Sequence, residues 1–253
     1  PLENSLSKMP ENLGTINSLG TCYMAQNKTE KAIETYQKAL EINPNSATTY
    51  YNIGSAYQTQ QKHKEACEYF AKAHQYDPEE DSYLVAWAVS EVKAGMFREA
   101  IEHYKFLASA YPQKATYKFN LACCYQVVGE YEIAISLLKQ LIMVNPKAAN
   151  FLKKLASIYI ATGQLANAKE VYEKIIKQGT VAYQTYYELA MLCTKTGDTD
   201  RAEQILKKVC GLNPEFAPAH KDLGVIYLNK RLFDYAKDEF EKAYQLGAKG
   251  IGF

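Results

Sequence analysis

Apolar and small residues recur along this chain at two nested periods. Within residues 47–80, Ile53 and Tyr57, then Ala66, Phe70 and Ala73, stand three or four positions apart. That is the spacing of one face of an α-helix. The pattern lapses between Tyr57 and Ala66 and stops at Pro78, so the stretch predicts two short helices. Shifting the frame by 34 residues in either direction returns the same residue types. The eighth place of each frame is Gly20, Gly54, Ala88, Ala122, Ala156, Ala190 and Gly224, and the twentieth is Ala32, Ala66, Ala100, Ala134, Ala168, Ala202 and Ala236. Pro44, Pro78, Pro112 and Pro146 keep the same period, and Pro214 falls two periods beyond Pro146.

The repetition has a physical reading. Small residues at the eighth and twentieth places let two helices approach closely, and a larger side chain there would overpack at a cost of about 1–3 kcal/mol. Each proline stops the second helix of its unit. Helices of about three turns are unstable alone, so the units must be stabilised by stacking on their neighbours.

This pattern resembles the tetratricopeptide repeat family. Seven copies span residues 13–46, 47–80, 81–114, 115–148, 149–182, 183–216 and 217–250 without insertion or deletion. The resemblance implies an all-α fold, a right-handed superhelical α-solenoid of stacked antiparallel helix pairs. Residues 1–12 place Leu2, Ser5 and Pro10 where a preceding repeat would end. The chain is therefore expected to be a piece of a longer array, with 251–253 as a tail. The family's closing polar helix is not evident, so the array ends are expected to offer surfaces for self-association.

Composition narrows the partners. The formal net charge is +1, from 29 basic and 28 acidic residues, which disfavours nucleic acid or an anionic membrane as a bulk electrostatic partner. No run is apolar and long enough to insert in a membrane, and the first residues do not read as a secretion signal. Six scattered cysteines with no CxxC pair predict reduced thiols in a reducing, cytoplasmic setting. Asn27-Lys28-Thr29 matches a glycosylation sequon, read here as chance.

No catalytic constellation is visible, so the chain reads as no enzyme, with no cofactor. His63, His74, His103 and His220 show no metal-ligand spacing. In the third repeat Glu91 replaces the eleventh-place tyrosine, with Trp87 one turn earlier; the indole N–H is expected to meet that carboxylate. Gly179-Thr180 stands where the fifth repeat would have its proline, which predicts a looser junction.

What remains is surface. By resemblance, the first helix of each repeat lines a concave groove that commonly binds peptides. Its fifth, sixth and ninth places carry the candidate peptide-binding residues Tyr51, Asn52, Val85, Val89, Phe119, Asn120, Lys153 and Tyr187. An asparagine carboxamide can pair with both N–H and C=O of an extended peptide, and aromatic rings can anchor it at low entropic cost. Repeats five to seven are the charged half, with Lys153, Lys154, Glu188, Lys221 and Asp222. The basic residues that co-chaperone members use to clamp a chaperone's C-terminal carboxylate are missing. The expected function is a non-enzymatic scaffold binding a peptide segment or partner protein. The alternative is a substrate- or partner-recruiting arm of a larger protein, such as a glycosyltransferase; the sixth-place asparagines resemble those of the O-linked N-acetylglucosamine transferase repeats. RNA binding of the pentatricopeptide kind is disfavoured by the period of 34.

Overall fold

A computed structural model describes residues 13–179 and 182–247; among them there are helices and turns and no strand. The expectations for residues 1–12, Thr180 and the tail at 251–253 lie outside the described residues. The chain divides into two compact units, Pro1–Glu130 and Tyr131–Phe253. The first holds α1 (Leu13–Ala25), α2 (Thr29–Ile42), α3 (Ala47–Thr59), α4 (His63–Tyr76), α5 (Asp81–Ala94), α6 (Phe97–Ala110) and α7 (Ala115–Val127). The second holds α8 (Tyr131–Val144), α9 (Ala149–Ala161), α10 (Leu165–Lys177), α11 (Tyr183–Lys195), α12 (Thr199–Leu212), α13 (Ala217–Asn229) and α14 (Phe233–Gln245). Helices starting at 13, 47, 81, 115, 149, 183 and 217 are each 34 residues apart.

One turn joins each of these helices to the next. Its central residue has a left-handed backbone: Asn27, Gln61, Gly95, Gly129, Gly163, Gly197 and Arg231 all have positive φ. The following N–H then reaches back five residues to a carbonyl, as from Lys28 to Tyr23, Lys62 to Tyr57 and Met96 to Glu91, at 2.8–3.0 Å. This closes the helix with the longer of the two Schellman bonds. The same N–H to C=O bond recurs from Glu130 to Tyr125, Gln164 to Tyr159, Asp198 to Cys193 and Leu232 to Tyr227. Four of the seven turns use glycine and one uses Asn27, which tolerates this backbone; Gln61 and Arg231 hold it against their steric preference.

The core follows the 34-residue ruler. Ala32, Ala66, Ala100, Ala134, Ala168, Ala202 and Ala236 are all buried, as are Ala39, Ala73, Leu107, Leu141, Ile175, Val209 and Ala243. In the first unit, Ala32, Ile33, Tyr36, Ile53 and Ala56 form a cluster walled by Tyr23, Tyr57 and Tyr69. Tyr57 and Tyr69 stack at 5.2 Å between centroids, and Tyr50 on Tyr76 at 5.4 Å. Much of the chain's tyrosine is thus spent on the scaffold.

The third repeat corrects one expectation. Glu91 is buried, and its Oε2 lies 2.8 Å from His103 Nδ1. Trp87 does not supply the partner; its ring packs against His103 with centroids 4.2 Å apart. The helix-spaced Trp87–Glu91 pair missed the second helix, whose His103 meets both residues. At the fifth repeat's end Gly179 adopts φ +130°, and Gln178 Nε2 donates to the Pro146 carbonyl at 2.7 Å. Among the described residues, no helix is long and apolar enough to cross a membrane.

Candidate functional site

The first-helix face of the first unit carries most of the candidate residues. α3 starts at Ser46, whose Oγ accepts from the Thr49 N–H at 3.4 Å. Thr49 is fully buried, and Asn17 of α1 grips it through both amide atoms, at 3.0 and 3.1 Å. That fifth-place asparagine therefore serves the scaffold. Two residues on, the Tyr51 ring lies 5.4 Å from Phe70 and 5.2 Å from Tyr83. α5 begins behind Glu80, which accepts from the Ser82 N–H at 3.2 Å. Val85 and Val89 then lie half-buried on one side of α5.

Tyr51, Val85 and Val89 meet in one cleft of about 490 Å³, with Gln58, Asp81 and Lys114 on its rim. Val89 also lines a second cleft of about 270 Å³, with Val92, Tyr104, Asn120 and Cys123. Shared Val89 makes the two clefts neighbours along α5. Phe119 and Asn52 are half-buried and line neither.

The two candidate asparagines differ in a way that sequence did not reveal. Asn120 Nδ2 donates to the Tyr104 hydroxyl at 3.1 Å. Asn52, at the same place of its repeat, has no hydrogen bond from its side chain within the described residues. The cause lies at the ninth place. Tyr36 is satisfied by Thr21 Oγ1, at 3.2 Å, and does not take up Asn52. The third repeat has Val89 at that place, with no hydroxyl to offer, so Tyr104 engages the next repeat's Asn120. Burial pushes the Tyr104 phenol up to about 12.

In the second unit, Lys153 is exposed on α9. The Tyr187 hydroxyl donates to Asp222 Oδ2 at 2.7 Å, and its ring meets Phe216 edge-on at 4.9 Å. Burial and the Asp222 charge both push its phenol up. The Tyr172 hydroxyl donates to Glu188. Two carboxylates of the charged half are therefore paired internally. Sequence also missed a cleft of about 350 Å³ bounded by Glu173, Tyr186, Arg201 and Lys208. There Arg201 bonds Glu173 at 2.8 Å, and Lys208 Nζ lies 4.2 Å from the Tyr186 ring centroid.

A third arrangement joins α12, α13 and α14. Cys210, His220 and Glu239 place one donor atom each within 4.8 Å of one another. His220 Nδ1 is 2.5 Å from Glu239 Oε2, and Lys242 Nζ is 2.7 Å from Glu239 Oε1. Burial, then the Glu239 charge, pushes the Cys210 thiol up to about 11. Burial alone would raise Glu239; Lys242 and His220 outweigh it and hold the carboxyl below its ordinary value.

Models described as TPR repeat or tetratricopeptide repeat match residues 20–61, 47–80, 128–185 and 183–216. No curated protein matches the chain. Among solved structures, MamA is 26% identical over 64% of this chain and 95% of its own, with a TM-score of 0.58. YrrB, described as a TPR protein with an unusual peptide-binding site, is 21% identical over 70% of this chain and 91% of its own, at 0.61. The C-terminal part of a TPR repeat-containing protein from Cytophaga hutchinsonii reaches 0.78 at 15% identity, covering 92% of this chain and 96% of that one. The last two likenesses bear on the fold alone.

Proposed function

Because the chain belongs to the tetratricopeptide repeat family, we propose that it is a non-enzymatic protein-interaction scaffold. Its ligand is an extended peptide segment of a partner protein, lying on the first-helix face of the first unit.

The observation that carries this reading is the pair of clefts sharing Val89. Tyr51, Val85 and Val89 give an apolar wall in the larger one, and Asn120 stands in the smaller one. Next to Tyr51 on α3, Asn52 holds an amide with no partner among the described residues. A carboxamide both donates and accepts, so it can pair with peptide backbone without reading side chains. Tyr51 is held by two rings, so little side-chain entropy remains to be lost on binding. Asn120 is oriented by Tyr104 and keeps its carbonyl oxygen for a ligand. YrrB, which shares the fold, is itself described as having a peptide-binding site.

Lys153 and Tyr187 enter this proposal differently. Lys153, on the second unit, is open to solvent and suits an acidic residue. Tyr187 is committed to Asp222 and acts as packing.

The test is hydrogen exchange with a peptide selected from an unbiased displayed library. Binding on this face slows exchange in α3, α5 and α7. Slowing confined to other helices would overturn the assignment.

A further inference from the structure

We infer that Cys210, His220 and Glu239 form a zinc-binding site in the second unit. The donors come from three successive helices: Cys210 from α12, His220 from the first turn of α13, Glu239 from α14. A thiolate, an imidazole and a carboxylate suit zinc, whereas hard cations such as magnesium or calcium avoid sulfur. His220 is 6% exposed, and both other residues are half-buried, so the donors face each other rather than bulk water.

The surroundings orient the ligands. His220 Nε2 is 3.0 Å from the Pro214 carbonyl oxygen and donates to it. This directs Nδ1 at Glu239 and Cys210. Metal-bound histidines nearly always donate their other ring N–H to a carbonyl or carboxylate in this way. Lys242 holds the second oxygen of Glu239 at 2.7 Å, fixing the carboxylate from the outside. Two of the three donors thus have the outer partners a metal site needs.

The fit requires small shifts. Ligands of a tetrahedral zinc stand about 3.3–3.6 Å apart, given bonds of about 2.0–2.3 Å. The His220–Glu239 contact, 2.5 Å, must open, and the thiol must close in from within 4.8 Å. Both are side-chain movements. Zinc displaces two protons, one from the Cys210 thiol and one held between Nδ1 and Oε2. Thiolate and carboxylate then cancel the cation's two charges. A fourth position stays open for water. Filled, the site ties three helices together.

The rival reading is an ion pair between His220 and Glu239 with Cys210 as a bystander. Titration of the full chain with cobalt(II), then zinc, separates the two. One equivalent of cobalt is expected to give tetrahedral visible bands and a thiolate charge-transfer band, both removed by zinc. Cys210→Ser is expected to abolish the charge-transfer band, and His220→Gln to weaken cobalt binding at least tenfold. A readout free of variants is alkylation mapped by mass spectrometry, in which zinc shields Cys210 and leaves Cys22 reactive. No charge-transfer band in the unaltered chain, or equal alkylation of Cys210 with and without zinc, would overturn the site.

Discussion

Gly20 faces the ring of Tyr36 so closely that a Cβ on it would stand 2.3 Å from the ring's Cε1. Gly54 meets Phe70 and Gly224 meets Phe240 in the same way, both at 2.8 Å. Gly20→Ala is therefore expected to destabilise the chain by about 1–3 kcal/mol, as overpacking does. Gly211→Ala, in α12 with open space around it, is expected to stabilise by about 0.5–1 kcal/mol by helix propensity. Urea midpoints of the two variants check the contrast.

Gln61 adopts φ +60° at the turn where four other repeats place glycine. An ordinary residue there is strained by about 1–2 kcal/mol, partly offset by the extra freedom glycine gives the unfolded chain. Gln61→Gly should raise stability by about 0.5–1 kcal/mol. Thermal unfolding beside Gly95→Ala, which should fall, measures it.

Glu91 is 1% exposed and is bonded by His103. His103→Ala strips the partner from a buried carboxylate, and a loss of about 3 kcal/mol is expected. Adding Glu91→Gln removes the orphaned charge and should recover part of that loss. The coupling between the two changes is read from a double-mutant cycle.

His74 is half-buried and its Nδ1 has no partner among the described residues. Burial, then the His103 ring, pulls its pKa below the ordinary 6.5; Asp81 and Asp77 oppose this weakly. The native form then binds fewer protons than the unfolded form. The resulting stability is complete above 6.5 and is lost as pH falls through the lowered value. Urea midpoints between about pH 7.5 and 5 should fall less steeply for His74→Gln than for the parent chain.

The period was legible because each scaffold place asks only for a size class. Ala32 and its six counterparts, buried in every copy, need no knowledge of their neighbours. The left-handed turn was hidden where Gln61 or Arg231 replaces glycine, since neither residue type announces it. Of the candidate residues, the juxtaposition of Tyr51, Val85 and Val89 was legible from their places in the repeat, and they share a cleft. Sequence could not separate Asn52 from Asn120, because the difference arises from what bonds each tyrosine hydroxyl: Thr21 for Tyr36, and the Asn120 amide for Tyr104. Nor could it see Cys210, His220 and Glu239 as a group, since they sit on three helices at no fixed spacing.

The most direct test of the proposed peptide site is the affinity of one selected peptide for three forms of the chain. Asn52→Ala removes an amide with no bond among the described residues, and binding should weaken about tenfold, or about 1.4 kcal/mol. Val89→Glu puts a charge where the two clefts meet, and binding should weaken further, by about thirtyfold or more. Far-UV circular dichroism of both should match the parent. If both variants, folded, bind the peptide within about twofold of the parent chain, well under 1 kcal/mol, the ligand does not lie on this face.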